Sequence, residues 1–342
     1  MFKRIAVMGA GSLGTTLGAF LTQKGFDITM VDANRAHVDA LNSTGAHIIG
    51  PIDVVIPVKA CYADAMEGTF DLFIYMAKQT YNDVAVPQMI AHSHDKTIIV
   101  ACQNGIPELE VAKWVPKERI FGAPIGWGGI FQGPGCTKLT SELEFMSCTL
   151  GSLTGEHTPE LDEVASILST VNHVQVSDNL MGLRWSKLFV NAAYSGVGTI
   201  TGYTFGQIIV DPELMRIACY IGRECLKVAH ACGVKVEPFH AEGRFYDFET
   251  LFDFEGEPDL DDAMKNAQGY LGPSGESLAS MCQDIRRGLP CEIEYINGTV
   301  SRLAREHGVD TPVNDQIVTM IRSIAAGERP YERANAGLIK LP

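Results

Sequence analysis

The chain has 342 residues, 46% of them hydrophobic and 20% charged, with a net charge of −14; that is room for two domains with cores of their own, in the ordinary balance of a globular protein. The negative charge argues against nucleic acid or an anionic membrane as partner. No apolar run reaches the ~18 residues that span a bilayer, and Lys3-Arg4 lead straight into a strand rather than into the apolar core of a signal peptide. The nine cysteines are odd in number and scattered, without a Cys-x-x-Cys pair. They read as reduced thiols in a cytoplasm, not as a disulfide framework or a zinc site.

Ile5-Ala-Val-Met8 reads as an apolar strand, Gly9-Ala-Gly11-Ser12-Leu13-Gly14 as a tight turn, and the following residues as a helix running to about Lys24 and capped by Gly25. The spacing Gly9, Gly11, Gly14 is the dinucleotide-binding fingerprint. Gly9 allows the sharp turn, Gly11 lets a pyrophosphate approach the backbone, and Gly14 lets the helix pack close to the strand. The helix start then offers unpaired N–H groups and the positive end of its dipole to phosphate. A second strand, Asp27 to Val31, ends at Asp32, near where an acid that binds the ribose is expected.

Asn34 is placed to cap a short helix. Residues 46 to 60 alternate apolar and polar and suggest a β-hairpin or edge strands. Phe70 to Met76 and Thr97 to Cys102 read as buried strands. Their carboxyl ends run into Ala77-Lys78-Gln79-Thr80 and Gln103-Asn104-Gly105, where a cofactor sits in an open α/β sheet. That position favours a functional Lys78 and Asn104 over a solvated lysine and a simple turn-former. His92 and His94 beside Asp95 could form half of a metal site, but a solvated loop is the better reading. Gly126 to Gly135 is glycine-rich without the Lys-Ser/Thr of a phosphate-binding loop, and reads as a hairpin turn. A helix is predicted around 159 to 170, and Val174 to Ser177 closes the first domain.

From about Asp178 strand signals stop and helical periodicity takes over. Asn179 to about Thr199 reads as one helix, on which Lys187, Asn191 and Ser195 are spaced i, i+4, i+8 and share a face. In so apolar a run this polar line is placed in a cleft rather than in solvent. Residues 211 to 232 are predicted helical. The acidic stretch 246 to 263 carries Phe245, Phe248, Phe252 and Phe254 but no evident chemistry, and reads as a variable insertion or a subunit contact. Ser277 to Arg287 reads as a helix presenting Ser280, Glu292 to His307 as another, and Thr311-Pro-Val-Asn314 as the start of the last.

Taken together, Gly9 to Gly14, Ala77 to Thr80, Gln103-Asn104-Gly105, Gly133-Pro-Gly135, Trp185-Ser-Lys187-Leu-Phe-Val-Asn191, Ser280 to Gly288, Glu292-Ile-Glu-Tyr-Ile-Asn297-Gly298 and Gly308 to Asn314 resemble, in this order, the ketopantoate reductase (2-dehydropantoate 2-reductase) family over nearly the whole chain. The resemblance implies an α/β N-terminal Rossmann domain, residues 1–178, and an all-α C-terminal domain of the 6-phosphogluconate dehydrogenase type, residues 179–342. It implies a cytoplasmic enzyme, a homodimer through the helical domain, that reduces ketopantoate to D-pantoate with NAD(P)H and no metal. Lys187 matches the family's general acid and Glu292 its glutamate beside the substrate. Asn191 and Ser280 match substrate residues. Lys78 and Asn104 match residues near the nicotinamide, while Gly9, Gly11, Ser12, Leu13 and Gly14 match the phosphate turn.

The chemistry suits these residue types independently. Hydride addition to a ketone leaves charge on oxygen, which an ammonium can stabilise and protonate. A nearby carboxylate keeps such a lysine charged. Three departures stand out. Ser195 replaces a second asparagine, which leaves more room or a different polar contact near the substrate. Leu289-Pro290-Cys291 replaces Arg-Pro-Thr. Asp32 stands where the family carries neutral or basic residues, and its carboxylate favours NADH over NADPH, although Arg35 is close by. A reductase of another small 2-oxo acid, an opine-type dehydrogenase and a non-catalytic dinucleotide-binding module are the alternatives.

Overall fold

The four side chains of Ile5–Met8 (β1) are all buried, Ile5 and Val7 in one hydrophobic cluster and Ala6 and Met8 in another. That is the signature of a strand covered on both faces. The computed structural model describes residues 2–241, 244–255, 257–271, 275–276 and 278–342. Contacts divide the chain into two units. One is formed by the residues up to Gln103 with Pro107–Leu180, the other by Met181–Pro342 with Asn104–Ile106.

In the first unit β1 is followed by α1 (Ser12–Gln23), β2 (Ile28–Asp32), α2 (Arg35–Thr44), β3 (Ala46–Ile49), β4 (Val54–Ile56), β5 (Lys59–Tyr62) and β6 (Phe70–Tyr75). Then come α3 (Asn82–Ala91), β7 (Ser93–Ala101), α4 (Pro107–Val111), β8 (Ile120–Gly122), β9 (Gly129–Gly133), β10 (Cys136–Leu139), β11 (Ser147–Ser152), α5 (Pro159–Ser169) and β12 (His173–Val176). The main sheet runs β12-β11-β8-β7-β6-β1-β2-β5. From β5 to β8 its neighbours pair in parallel, and the order reverses between β1 and β6. This is the doubly wound dinucleotide-binding arrangement, with its crevice at the carboxyl ends of β1 and β6.

The hairpin or edge strands expected at 46 to 60 are both present: β3 pairs with β4, and the stretch also starts β5, the edge strand beside β2. β9 and β10 form the hairpin expected of the glycine-rich segment, and β10 joins β3 in a second sheet. The His92–Asp95 stretch is no loop: β7 begins at Ser93. His94 Nε2 lies 3.0 Å from Asp71 Oδ1, and His92 Nδ1 lies 2.7 Å from the Gly68 carbonyl.

The second unit comprises α6 (Leu180–Val190), a π-helical turn Asn191–Ser195, α7 (Gly196–Thr201), α8 (Phe205–Ile209) and α9 (Pro212–Ala231). A two-stranded ribbon follows, β13 (Phe239–Ala241) and β14 (Arg244–Tyr246). The rest is α10 (Phe248–Phe252), α11 (Glu257–Leu271), α12 (Ser280–Arg286), α13 (Asn297–His307) and α14 (Pro312–Ala325). α9 is its axis, with the π turn, α8, α10, α11, α13 and α14 packed around it. Asp211 caps α9 by accepting from the Glu213 and Leu214 N–H groups.

Three aromatics of the acidic stretch serve this core. Phe248 and Phe252 pack on Phe189 with ring centroids 5.7 and 5.9 Å away, and Phe254 packs edge-on against Tyr220. A Cβ at Gly222 would lie 2.5 Å from the Phe252 ring, so α9 needs glycine there. These three phenylalanines are therefore interior packing rather than a subunit contact. Ser277, where a helix is expected to begin, lies outside the described residues, as does position 256 within the acidic stretch. The helix predicted from Glu292 breaks: Ile293–Tyr295 is a short 3-10 turn, Ile296 adopts φ −109°, ψ −96°, and α13 starts only at Asn297.

Candidate active site

The glycine turn is pinned from both sides. Gly9 and Ala10 donate to the Val31 carbonyl at the end of β2, and Met76 and Ala77 donate to the Met8 carbonyl from the end of β6. Gly9 has φ +97°, and a Cβ there would lie 2.2 Å from the Ala77 nitrogen. A Cβ on Gly14 would lie 2.1 Å from the Gly9 carbonyl. Both glycines are thus demanded by the protein's own packing. Gly11 differs: a Cβ there would meet no protein atom within 4 Å, so the open space before it suits a ligand. α1 has no side-chain cap and no acid in its first turn, which leaves the N–H groups around Ser12 and Leu13 to face an anion. These residues fit a dinucleotide pyrophosphate.

At the end of β2, Asp32 accepts from the Asn34 N–H at 2.8 Å. Asn34 in turn caps α2 through the His37 N–H, as its position in sequence predicts. Arg35 is drawn aside. Its Nη2 lies 2.7 Å from Asp64 Oδ2, and its guanidinium sits 4.4 Å from the centroid of the Tyr62 ring. Tyr62 is the register partner of Asp32 in the adjacent strand and donates its hydroxyl to Asp39.

Behind the turn, His37 is buried with Nε2 2.7 Å from the Ala10 carbonyl, and its Nδ1 accepts from the Gly135 N–H at 2.9 Å. Burial lowers the His37 pKa below its usual value, against the opposing pulls of the Ala10 bond and Asp32. The neutral imidazole fits both bonds.

Lys78 is half-buried at the start of the 3-10 turn Gln79–Tyr81. A buried polar cluster supports that loop. Tyr75 donates to Asn82 Oδ1 at 2.7 Å, and Gln103 Nε2 donates to the Ala77 carbonyl at 2.8 Å. Thr80 Oγ1, in the same loop, is closed off from solvent and meets no hydrogen-bond partner among the described residues.

Asn104, expected with these residues at the end of β7, groups by its contacts with the second unit instead. In that unit Lys187 and Asn191 are half-buried and Ser195 is buried. The predicted uniform α-helix is not what joins them: Asn191–Ser195 is a π turn. In an α-helix each four-residue step drifts about 40° around the axis. A turn closed by i→i+5 bonds makes four residues fall short of a full turn, so the second step drifts back and Ser195 realigns with Lys187. Asn191 Nδ2 is shut away from solvent and has no hydrogen-bond partner among the described residues.

α12, whose first residue is the exposed Ser280, packs against α7 and the π turn. Glu292 is 5% exposed on the connection into α13. The sequence reading missed Glu224, buried in α9 between Ile221 and Val228. A carboxylate on an apolar helical stripe was the available signal.

The sequence matches two family models, "Ketopantoate reductase PanE/ApbA" over residues 5–153 and "Ketopantoate reductase PanE/ApbA C terminal" over residues 179–325. A 2-dehydropantoate 2-reductase of Pyrococcus horikoshii is 27% identical over 329 residues, covering 94% of this chain and 97% of the relative. Among solved structures, D-mandelate dehydrogenase with NADH and anilino(oxo)acetate superposes with a TM-score of 0.81 at 23% identity, over 95% of this chain and 99% of that one. A dimeric ketopantoate reductase from Staphylococcus aureus superposes with a TM-score of 0.73 at 22% identity, over 95% and 100%.

Proposed function

The chain belongs to the ketopantoate reductase family of NAD(P)-dependent oxidoreductases, and from that premise we propose that it reduces the ketone of a small 2-oxo acid, ketopantoate to D-pantoate, with NADH preferred over NADPH. The observation that carries the reading is the helix holding Lys187, Asn191 and Ser195, where the protected Asn191 amide N–H, one turn after the lysine, has no partner among the described residues. Such a group costs free energy until a ligand accepts from it.

Bound NADH would supply a hydride to the carbonyl carbon. Lys187 stabilises the charge that develops on the carbonyl oxygen and gives it the proton. Glu292 keeps Lys187 charged and restores its proton. Asn191, Ser195 and Ser280 hold the substrate carboxylate, while Lys78 and Asn104 line the nicotinamide end. Gly9, Gly11, Ser12, Leu13 and Gly14 hold the pyrophosphate and Asp32 the adenosine ribose. Two features support NADH. The Asp32 carboxylate repels a 2′-phosphate, and Arg35, the cation that could attract one, is engaged by Asp64 and Tyr62. The likeness to a dimeric relative supports a homodimer.

A second reading is a bulkier 2-oxo acid. Ser195 is shorter than the family's asparagine, and the D-mandelate dehydrogenase on this fold takes an aryl-substituted ligand. Initial rates with ketopantoate, 2-oxoisovalerate and phenylglyoxylate, each with NADH and NADPH, test both readings. Highest kcat/KM on ketopantoate with NADH is expected. Preference for phenylglyoxylate would establish the second reading, and no turnover of any oxo acid would end both.

A further inference from the structure

The helix that carries the proposed substrate residues changes pitch at Asn191–Ser195, and a line of buried side chains reaches that turn from three other helices. Inside the turn the Ala192 carbonyl accepts an N–H from outside the helix, from Asn297 Nδ2 at 3.0 Å. The same amide donates to Asn314 Oδ1 at 3.0 Å. Asn314 Nδ2 donates to Glu224 Oε2 at 2.8 Å. The Glu224 carboxylate also accepts the Val313 and Asn314 backbone N–H groups, both at 2.8 Å, and so caps α14. Asn297 and Asn314 are fully buried and Glu224 is 6% exposed.

The polarity of this line is dictated from one end. Glu224 already accepts two backbone N–H groups, and the Ile221 carbonyl lies 3.4 Å from the Asn314 amide nitrogen, so Asn314 turns its NH2 toward Glu224. Its Oδ1 then faces Asn297, which must turn its own NH2 toward it, and the second N–H of that group reaches Ala192. A reversed amide anywhere along the line would set two acceptors or two donors against each other in the interior. Gly196 lies beside the contact: a Cβ there would press on Ile317 Cγ2 at 3.2 Å and only touch Asn297 Nδ2 at 3.4 Å. A π turn is held only where surrounding structure supports it. The Asn297 N–H offers that support next to Asn191, whose amide nitrogen has no partner of its own among the described residues.

We propose that Glu224, Asn314 and Asn297 are positioning residues, relaying a fixed donor direction into the π turn so that the Asn191 amide is presented to the substrate carboxylate. This rests on the reading of Asn191 as a substrate residue. Asn297→Asp keeps the side-chain size and removes the donor to Ala192. Should that variant fail to fold, Asn297→Ser removes the same amide donor without placing a charge in the interior.

Three readouts decide. Hydrogen exchange of the 191–196 amides, followed without substrate, is expected to accelerate. KM for the oxo acid is expected to rise about tenfold or more. The dissociation constant for NADH, read by its fluorescence, is expected to stay within about twofold, because the glycine turn belongs to the other unit. Unchanged exchange overturns the relay. Faster exchange with unchanged KM overturns its role in presenting Asn191, and an equal loss of NADH affinity and KM marks general damage and also overturns it. Failure of the underlying reading looks different: the unaltered chain then turns over no oxo acid, while the exchange measurement still decides whether the line holds the turn.

Discussion

At Gly9–Gly14 the chain shapes a binding surface from its own backbone: Gly14 answers the Gly9 carbonyl, Gly9 the close approach of Ala77 just after β6, and Gly11 leaves open space. At Asn191–Ser195 it does so by importing side chains: the turn's carbonyl is met by Asn297, more than a hundred positions later in the chain. The first device is local, rigid and vulnerable to any added atom. The second depends on a polar network assembled only when the helical unit is complete, and is vulnerable to the reversal of a single amide. One unit therefore concentrates its liability in a Cβ, the other in a hydrogen-bond direction.

Substitutions can break or sharpen this contrast. The largest effect is expected at the chemistry itself: Lys187→Ala should lower kcat by about 10²–10⁴-fold with little change in NADH affinity, as steady-state rates and fluorescence titration together would show. Gly14→Ala places a carbon 2.1 Å from the Gly9 carbonyl. It should weaken NADH by at least about tenfold while leaving hydrogen exchange in the π turn untouched; a change in both would mean that the two devices are not separate.

Asp32→Ala should shift the NADH-to-NADPH ratio of kcat/KM by about tenfold toward NADPH. Asp64→Asn, which frees Arg35 from an exposed pair, should move it in the same direction only a few-fold, and equal shifts would put the discrimination on Arg35 rather than on Asp32.

The smallest expected effect is on stability against pH. The folded protein holds His37 neutral at a lowered pKa, so between that value and the ordinary 6.5 the unfolded chain binds more protons. Stability is complete above pH 6.5 and declines as pH falls through that window. His37→Gln should flatten the fall in Tm between pH 7 and 5.

The glycine turn, the strand end at Asp32 and the buried strands beside them were legible because each has a local cause: a fixed glycine spacing, an apolar run of the right length, an acid at the end of a strand. The Asn34 cap on α2 was legible for the same reason. What escaped was non-local. Lys187, Asn191 and Ser195 have ideal α-helical spacing, and no residue among them announces a π turn; its support lies in α13, α14 and α9. The break after Glu292 hides in a run without proline, where Ile296 leaves the helical region at φ −109°, ψ −96°. The phenylalanines of the acidic stretch looked peripheral because the charges between them masked their burial against Phe189 and Tyr220. Asn104 looked like part of the first unit because it directly follows one of that unit's strands.

The π turn also works as a vernier. One residue inserted into an α-helix advances everything beyond it by about 100° around the axis, so α6 and α7 are two rulers read against each other with an offset of one division. α7 is set by α12, α14 and the C-terminal residues, and α6 by whatever surrounds its own length. Losing a single residue between Asn191 and Ser195 would not shorten the helix gently. It would swing one ruler by more than a quarter turn, and the apolar faces of Leu188 and Val197 could no longer both point inward.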